Sequence, residues 1–337
     1  MKIKRIIAGM LSALLAASLC TGCSGDTSMN QEVKEIRVGV LLYNQDDLFI
    51  NDMMEKLDNG FREKEKEGDF KITFNFSDAK GSQTVQNDQI DKYIAQDYDV
   101  LCVNLVDRTD AAIIVDKGKK ADIPIVFFNR EPVSADMGRW EKTYYVGIEA
   151  EEGGKIQGQI FLEELGLDSS IDRNGDGVIQ YVMLEGEPGH QDTTIRTESC
   201  IKTIQEAGVG LERLGTESAN WRRSQAKEIM EDWLSKYEDA IEVVFSNNDE
   251  MALGVLDATE AVEIPDGKIK IVGLDGIEEA REAVRDGRML GTVLNDAEGQ
   301  AKGVIDLAVA LGRDEEPTNV EYLESDRTLR VPQKMIK

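Results

Sequence analysis

Short apolar runs alternate with amphipathic stretches of helical period from Ile36 onward. This alternation is typical of βαβ units, in which parallel strands form a sheet and helices cover its faces. The pattern predicts eight strands, over residues 37–43, 71–76, 100–106, 125–129, 180–184, 242–246, 270–274 and 290–293. It predicts helices over residues 51–67, 84–96, 109–119, 154–165, 191–207, 224–236, 250–261, 278–286 and 298–310.

The number of strands indicates two lobes. Eight strands are too many for one ordinary doubly wound sheet, and a long interruption separates Asn129 from the next strand-and-helix unit. We therefore predict an α/β fold of two similar lobes with parallel sheets, one before about residue 148 and one after it.

The first 22 residues have the features of a secretion signal. A basic start precedes an apolar run from Ile6 to Leu19, which is shorter than the roughly 20 residues that span a bilayer. Thr21-Gly22-Cys23 resembles the end of a bacterial lipobox, although Cys20 stands where that motif prefers Leu. We expect cleavage before Cys23, a lipid on its sulfur and a polar tether over residues 23–35. An ordinary signal cut nearby is the alternative.

Composition excludes several classes of protein. Lys plus Arg number 39 against 65 Asp plus Glu, so the formal net charge is −26. A surface this acidic repels nucleic acid and anionic lipid. Two of the four cysteines, Cys20 and Cys23, lie in the first 23 residues, so no disulfide framework is expected. We interpret Cys102 and Cys200 as structural, and one histidine leaves little room for a zinc site.

Polar residues follow most of the predicted strands. Ligands of open α/β sheets bind at the carboxyl ends of strands, where these residues would meet. Asp and Asn are also common helix caps, but their recurrence in both halves favours a shared cleft. The residues are Asp46, Asp47, Phe49, Asn104, Asp107, Asn129 and Glu131 in the first half, and His190, Asp192, Arg196, Asn247, Asn248, Asp249, Asp275, Asn295 and Asp296 in the second.

This collection of side chains suits a neutral polyol. Carboxylates and amides bind vicinal hydroxyls in pairs, and the aromatic faces of Phe49 and Trp221 would cover a sugar ring. Only Arg196 is a convincing partner for an anion. The sequence has no G-x-S-x-G elbow, no phosphate loop, no G-x-G-x-x-G after the first strand and no H-E-x-x-H, which argues against an enzyme. A triad using His190 and a two-carboxylate glycosidase stay open.

Residues 172–180 match the first nine positions of an EF-hand calcium loop. Oxygen ligands stand at positions 1, 3, 5 and 9, which are Asp172, Asn174, Asp176 and Gln180, and the Val178 carbonyl is at position 7. Position 12, normally Glu, is Met183. Calcium would therefore need a carboxylate from elsewhere, and a turn without metal is the alternative.

Ordered motifs along the chain resemble the galactose/glucose-binding proteins of bacterial ABC sugar uptake, which have the type I periplasmic-binding-protein fold. The likeness covers nearly everything from Ile36 to Pro332. It is carried by Y-x-x-D-D-x-F at 43–49, Q-N-D-Q-I-D at 86–91, N-L-V-D at 104–107, V-F-F-N-R-E-P at 126–132, Y-Y-V-G at 144–147, the D-x-N-x-D-G loop, G-E-P-G-H-x-D at 186–192, Trp221 with Q-A-K at 225–227, I-E-V-V at 241–244, N-N-D at 247–249 and G-T-V-L-N-D at 291–296.

The resemblance implies roles for particular residues. A sugar would lie between Phe49 and Trp221, and the missing calcium ligand would be Glu242. The other implied sugar ligands are Asp47, Asn104, His190, Asp192, Arg196, Asn248, Asp275 and Asn295. The family's lobes exchange strands, which implies a first lobe of residues 35–148 plus 296–329 and a second of 149–295 plus 330–337.

The implied function is that of a monomeric binding protein outside the cytoplasm, which delivers D-galactose or D-glucose to an ABC transporter permease. A report to a chemoreceptor or sensor kinase without transport, and a different monosaccharide, remain alternatives. A transcription regulator shares the fold, but residues 24–35 are too short and polar for a DNA-binding domain. An exported glycosidase is the third alternative.

Overall fold

The computed structural model describes residues 34–337. The predicted signal, Cys23 and the tether up to residue 33 lie outside the described residues. Strand β1 begins at Lys34, so the last two residues of the predicted tether belong to the fold. Among residues 34–337, no helix is both long and apolar enough to span a membrane.

The described chain contains twelve strands and ten α-helices, which largely alternate. The strands are β1 (Lys34–Leu42), β2 (Phe70–Asp78), β3 (Val100–Val103), β4 (Ile125–Phe128), β5 (Thr143–Gly147), β6 (Val178–Glu185), β7 (Gly210–Ser218), β8 (Val243–Ser246), β9 (Lys270–Val272), β10 (Thr292–Leu294), β11 (Thr328–Arg330) and β12 (Lys334–Ile336). The helices are α1 (Leu48–Glu67), α2 (Gln83–Ala95), α3 (Ala111–Ala121), α4 (Ser134–Met137), α5 (Ala150–Leu167), α6 (Gln191–Glu206), α7 (Arg223–Tyr237), α8 (Asp249–Ala261), α9 (Glu278–Arg285) and α10 (Ala297–Gly312).

The first lobe is built on a six-stranded parallel sheet in the order β11-β5-β4-β3-β1-β2. Helices cover both faces. On one face, α1 buries Met53, Leu57 and Phe61 at helical spacing, and α10 packs beside it. On the other face, Ile90 of α2 and Ile114 of α3 lie in a second core.

The second lobe repeats this arrangement. Its four parallel strands have the order β7-β6-β8-β9. Bridges Val272–Gly291 and Asp275–Leu294 continue the sheet to β10, and β10 pairs with β12 in antiparallel orientation. Helices α7 and α8 cover one face, and α5 and α6 pack together on the other. The α/β fold with two parallel-sheet lobes confirms the predicted fold class.

The chain crosses between the two sheets three times. It passes from β5 to α5, from β10 to α10 and from β11 to β12, because β11 pairs with β5 whereas β12 pairs with β10. The prediction of eight strands missed β5, β7, β11 and β12. Strand β7 lies at a sheet edge and most of its side chains are at least partly exposed, and β11 and β12 have three residues each. These three strands therefore show no clear apolar run.

Candidate functional site

The carboxyl ends of strands from both lobes surround one polar cavity. Nine of the ten predicted sugar-binding residues line it. They are Asp47, Phe49, His190, Asp192, Arg196, Trp221, Asn248, Asp275 and Asn295, and they are joined by Tyr43, Ile50, Asn129 and Arg130. Three carboxyl groups, of Asp47, Asp192 and Asp275, and two guanidinium groups, of Arg130 and Arg196, lie among these residues.

Asp47 is held by the start of helix α1. Its Oδ1 accepts a hydrogen bond from the Ile50 backbone N–H at 3.1 Å, which caps the helix. Its Oδ2 accepts from the Tyr43 hydroxyl. Burial, together with the Asp47 carboxylate, raises the pKa of Tyr43, so the phenol keeps its proton and acts as the donor. The carboxylate is therefore fixed in position before any ligand arrives.

Asn104 does not line the cavity, in contrast to the role that the resemblance implied. Its side chain is fully buried one layer behind the cavity. Its Oδ1 accepts from the Tyr43 N–H at 3.2 Å, and its Nδ2 donates to the Phe128 carbonyl at 3.2 Å and to Asn129 Oδ1 at 3.1 Å. These bonds use the amide to join the ends of β1 and β4, so Asn104 supports the wall rather than forming it.

His190 presents an N–H donor to the cavity. It is the N-cap of α6, where its Nδ1 accepts a hydrogen bond from the Asp192 backbone N–H at 3.1 Å. Burial and the nearby guanidinium groups of Arg130 and Arg196 lower the pKa of His190 well below its ordinary value. A neutral imidazole that accepts at Nδ1 carries its proton on Nε2, which leaves Nε2–H as the free donor.

Asp192 and Arg196 form a buried ion pair one turn apart on α6. Arg196 Nη2 lies 3.0 Å from Asp192 Oδ2, and Nη1 donates to the Asn247 carbonyl at 2.9 Å. Both side chains are less than a tenth exposed. Arg196 Nε is buried and has no hydrogen-bond partner in the protein. An unpaired buried donor is costly, so a ligand oxygen in this cavity would relieve that cost.

The remaining polar residues come from the ends of β8, β9 and β10. Asn248 caps α8 by accepting from the Met251 N–H at 3.0 Å. Asn295 Nδ2 donates to Asp275 Oδ1 at 3.1 Å, and Asn295 Oδ1 accepts from Gln300. Burial raises the pKa of Asp275 well above its ordinary value. This chain of bonds leaves one carboxyl oxygen of Asp275 without a protein partner in the described contacts.

Three cavity residues have backbone angles that side chains other than glycine rarely adopt. The φ angles are 62° at Asn129, 64° at Trp221 and 135° at Asp275. Such conformations cost free energy and persist where the surroundings impose them, which is common at binding sites. Trp221 is also held by its neighbours, because its ring meets the His190 ring edge-on at 5.3 Å.

The sequence analysis missed Tyr43, Ile50 and Arg130 as lining residues, and noted Asn129 only as a polar residue after a strand. Arg130 directly follows Asn129 at the end of β4, so its position alone could have suggested it. It was passed over because the ligand was expected to be a neutral polyol, and only Arg196 was considered as a cation in the site.

The predicted calcium loop lies at the opposite end of β6 from this cavity. Eight residues of strand at roughly 3.3 Å each separate the two by roughly 26 Å. Glu242, just before β8, is buried at 2% exposure and accepts from the N–H groups of Arg173 at 2.6 Å and Gln180 at 3.0 Å. The predicted carboxylate thus contacts the backbone of the loop.

The side-chain oxygens of the loop already accept hydrogen bonds from within the loop. Asn174 Nδ2 donates to Asp176 Oδ2 at 2.9 Å and to Gln180 Oε1 at 3.2 Å, so two predicted ligand oxygens converge on one point. Asp172 accepts from the N–H groups of Gly175 and Gly177. As placed, residues 34–337 contain no group of three or more His, Cys, Asp or Glu side chains that could hold a metal. The donor set is all oxygen, which fits calcium in its chemistry.

Comparison with known proteins identifies the class. The sequence profile of the periplasmic binding protein domain matches residues 38–316, so the chain belongs to the periplasmic binding protein family. This confirms the resemblance to type I binding proteins of ABC sugar uptake and the location outside the cytoplasm.

Individual relatives resemble the chain over most of its length. The D-galactose/methyl-galactoside binding periplasmic protein MglB of Haemophilus influenzae is 38% identical over 298 residues, covering 88% of each chain. A putative rhizopine-binding protein of Rhizobium meliloti is 30% identical, covering 93% of this chain and 92% of the relative. A solute-binding protein of Bacillus halodurans solved with bound myo-inositol has a TM-score of 0.73 at 29% identity, covering 91% of this chain and 96% of that one.

Proposed function

We propose that this protein binds D-galactose or D-glucose reversibly in the cavity between its lobes and delivers the sugar to an ABC transporter permease. The observation that carries the proposal is the polar cavity itself, in which the buried Arg196 Nε has no protein partner. The 38% identity to a relative named for D-galactose and methyl-galactoside favours galactose. Other relatives are named for different ligands. The choice of sugar therefore rests on the sequence identity to the galactose-binding relative together with the cavity residues.

The chemistry of the cavity favours a neutral sugar over a sugar acid or phosphate. Asp47, Asp192 and Asp275 can accept from hydroxyl groups, whereas His190 Nε2–H and Arg196 Nε can donate to ring or hydroxyl oxygens. Phe49 and Trp221 line the cavity from the first and the second lobe and offer apolar surface for the C–H faces of a pyranose. A phosphate or carboxylate would meet the carboxylates of Asp47 and Asp192, and the two guanidinium groups already have acidic partners, so binding of an anion is opposed.

Calorimetry against a panel of galactose, glucose, ribose, myo-inositol and glucuronate tests the proposal. We expect one or both hexoses to bind with a dissociation constant below the millimolar range and glucuronate to bind more weakly. Asp192→Asn should weaken hexose binding by roughly ten- to hundredfold, since 1.4 kcal/mol corresponds to each factor of ten. Glu228→Gln, at an exposed site on α7, is the control. Absence of hexose binding, or parent-like affinity in Asp192→Asn, would contradict the proposal.

Binding without chemical change is part of the same proposal. The sugar should be recovered unmodified after prolonged incubation, as proton NMR of the supernatant would establish. Delivery to a chemoreceptor or sensor kinase is the second candidate, and uptake by a cell expressing the permease with and without this protein separates the two. We also propose that the protein acts as a monomer.

We propose that the loop at residues 172–180 binds a structural calcium ion, with Glu242 as the sixth ligand residue. The inward convergence of the Asp176 and Gln180 oxygens and the buried Glu242 carboxylate support the proposal. Asp172, Asn174, Asp176, the Val178 carbonyl and Gln180 would supply the other ligands.

Calcium should stabilise the fold, because a site absent from the unfolded chain adds its binding free energy to folding. Free calcium 100-fold above its dissociation constant adds about 2.7 kcal/mol. We expect EDTA to lower the melting temperature of the parent, and Glu242→Gln to abolish that response while Glu228→Gln keeps it. Differential scanning calorimetry measures both. A parent melting curve that EDTA leaves unchanged would refute the calcium site.

We propose further that the protein is anchored to the outer face of the membrane by a lipid on Cys23. The small residues before Cys23 and the polar stretch after it support this. Mass spectrometry of the N-terminal peptide should find Cys23 carrying acyl chains. An unmodified amino terminus at another residue would rule the anchor out.

A further inference from the structure

We propose that Arg130 is a positioning residue of the sugar site and that its ion pair with Glu187 holds the two lobes together around the ligand. The inference rests on the proposed function. Arg130 follows β4 in the first lobe, and Glu187 follows β6 in the second. Arg130 Nη2 lies 2.8 Å from Glu187 Oε2, so the ion pair spans the cleft.

Arg130 is fixed on its own lobe by two further contacts. Its Nη1 donates to the Val106 carbonyl at 3.0 Å. Its guanidinium carbon lies 3.5 Å from the centre of the Tyr43 ring, which is a stacking distance. The residue is only 6% exposed, so its position is determined by these neighbours. The guanidinium group of Arg130 is thus already held in place on the first lobe when it contacts the second.

The same stacking connects Arg130 to the ligand-binding side chains. Tyr43 donates its hydroxyl proton to Asp47, which lines the cavity. Arg130 therefore orients Asp47 through the Tyr43 ring, while its charge reaches Glu187 in the other lobe. One residue couples the geometry of the cavity to the contact between lobes.

A second contact crosses the cleft beside this ion pair. Gln191 Nε2, at the start of α6, donates to Glu131 Oε2 at 3.2 Å. Glu131 is in turn held by Arg330, whose Nη2 lies 2.8 Å from Glu131 Oε1. The two neighbouring contacts join the loop after β4 to the loop and helix after β6. They form only when these segments are close, so they favour the closed arrangement.

This reasoning predicts which rate constant the ion pair controls. A contact made only after the lobes have met contributes to the lifetime of the complex, whereas the encounter with sugar precedes it. Removing it should therefore raise koff and leave kon nearly unchanged. Because the side chain of Glu187 is 44% exposed, we expect a modest increase, roughly three- to tenfold.

Stopped-flow tryptophan fluorescence with galactose and glucose tests the inference, since Trp221 lines the cavity. The variants are Glu187→Gln, Arg130→Met, Arg130→Lys and the double variant Arg130→Met with Glu187→Gln. Arg130→Met should also weaken binding, because Asp47 loses its support. Arg130→Lys keeps the positive charge, so its koff should lie between those of the parent and Arg130→Met. Asp116→Asn is the control, because it removes one partner of the Asp116–Arg139 ion pair, which lies within the first lobe at 2.6 Å.

The inference predicts a raised koff in Glu187→Gln and a non-additive double variant, because both changes remove the same ion pair. If the parent binds sugar but koff is unchanged in Glu187→Gln, or the two effects simply add, the ion pair does not hold the lobes and the inference is overturned. If the parent binds neither hexose, the proposed function fails and this inference fails with it.

Discussion

At the scale of single residues, the position of the Trp221 ring depends on the absence of a side chain at Gly186. A methyl group built on Gly186 would lie 2.0 to 2.3 Å from three atoms of the Trp221 ring. Real carbon contacts are far longer, so any larger residue must displace the ring. The tryptophan side chain and the turn after β6 therefore occupy complementary space in the wall of the cavity.

We expect Gly186→Ala to weaken sugar binding by roughly tenfold, because it shifts Trp221 away from the sugar face and reduces their apolar contact. A tenfold loss of affinity corresponds to about 1.4 kcal/mol of binding free energy. Calorimetry of sugar binding measures the effect. Gly166→Ala is the matched control, since a methyl group there meets no atom within 4 Å. Parent-like affinity in Gly186→Ala would mean that the position of the indole ring does not govern binding.

The residue scale also marks the limit of reading side-chain roles from the sequence. Position after a strand correctly predicted that Asp47, Asp192 and Asp275 would converge, because strand ends share one edge of a sheet. It could not distinguish Asn104, which turns behind the cavity, from Arg130, which lines it. That difference depends on the side-chain hydrogen bonds made after folding, which sequence position does not encode.

At the scale of elements, the start of helix α8 combines a favourable position with an unfavourable environment for a carboxylate. Glu250 lies in the first turn, where the helix dipole favours negative charge. Burial nevertheless raises the pKa of Glu250 to about 7, Arg223 opposes the rise, and Glu279, Asp47 and Asp249 add to it. Glu250 Oε1 is also buried without a hydrogen-bond partner. The folded protein therefore binds a proton here more tightly than the unfolded chain does.

This linkage predicts a pH-dependent stability difference. An unfolded Glu has a pKa of about 4.3, so between that value and about 7 the folded state holds more protons and its stability falls as pH rises. Glu250→Gln removes this loss. We expect the variant to melt close to the parent at pH 5 and above it at pH 8. Thermal melts across that range measure the difference.

Glu152→Gln supplies the control for this prediction, since Glu152 is an exposed acidic residue in the first turn of α5. Its melting temperature relative to the parent is the baseline over the same pH range. A Glu250→Gln difference that does not change with pH relative to this baseline would show that Glu250 has an ordinary pKa in the fold.

Helices were predicted from the sequence more completely than strands. Helix α1 has a regular apolar spacing and a capping Asp47, and both signals are local. Strand β7 is recognisable only by its pairing with β6, because its side chains do not alternate between buried and exposed. Strands of three residues, such as β11 and β12, depend entirely on the partner they meet in space.

At the scale of the whole molecule, the hydrophobic pattern predicted two lobes but not which segments share a sheet. The assignment of α10 and β11 to the first lobe came from the resemblance to a family. Physically, an apolar stripe on a helix specifies that it is buried, and several sheet faces can bury it. In the fold, α10 packs beside α1 and contributes Ala301 and Val304 to the first lobe's core.

The three crossings between the lobes also constrain the order in which the two lobes can be completed. The core of the first lobe joins Ile36 near its beginning to Val331 near its end. About 150 residues, from the end of β5 to the start of α10, lie between its two parts. In a chain that emerges amino terminus first, the face of the first sheet that α10 covers stays open until those residues have followed. The lobe that begins first is therefore the last to be completed, and a fragment ending before residue 297 would lack part of its core.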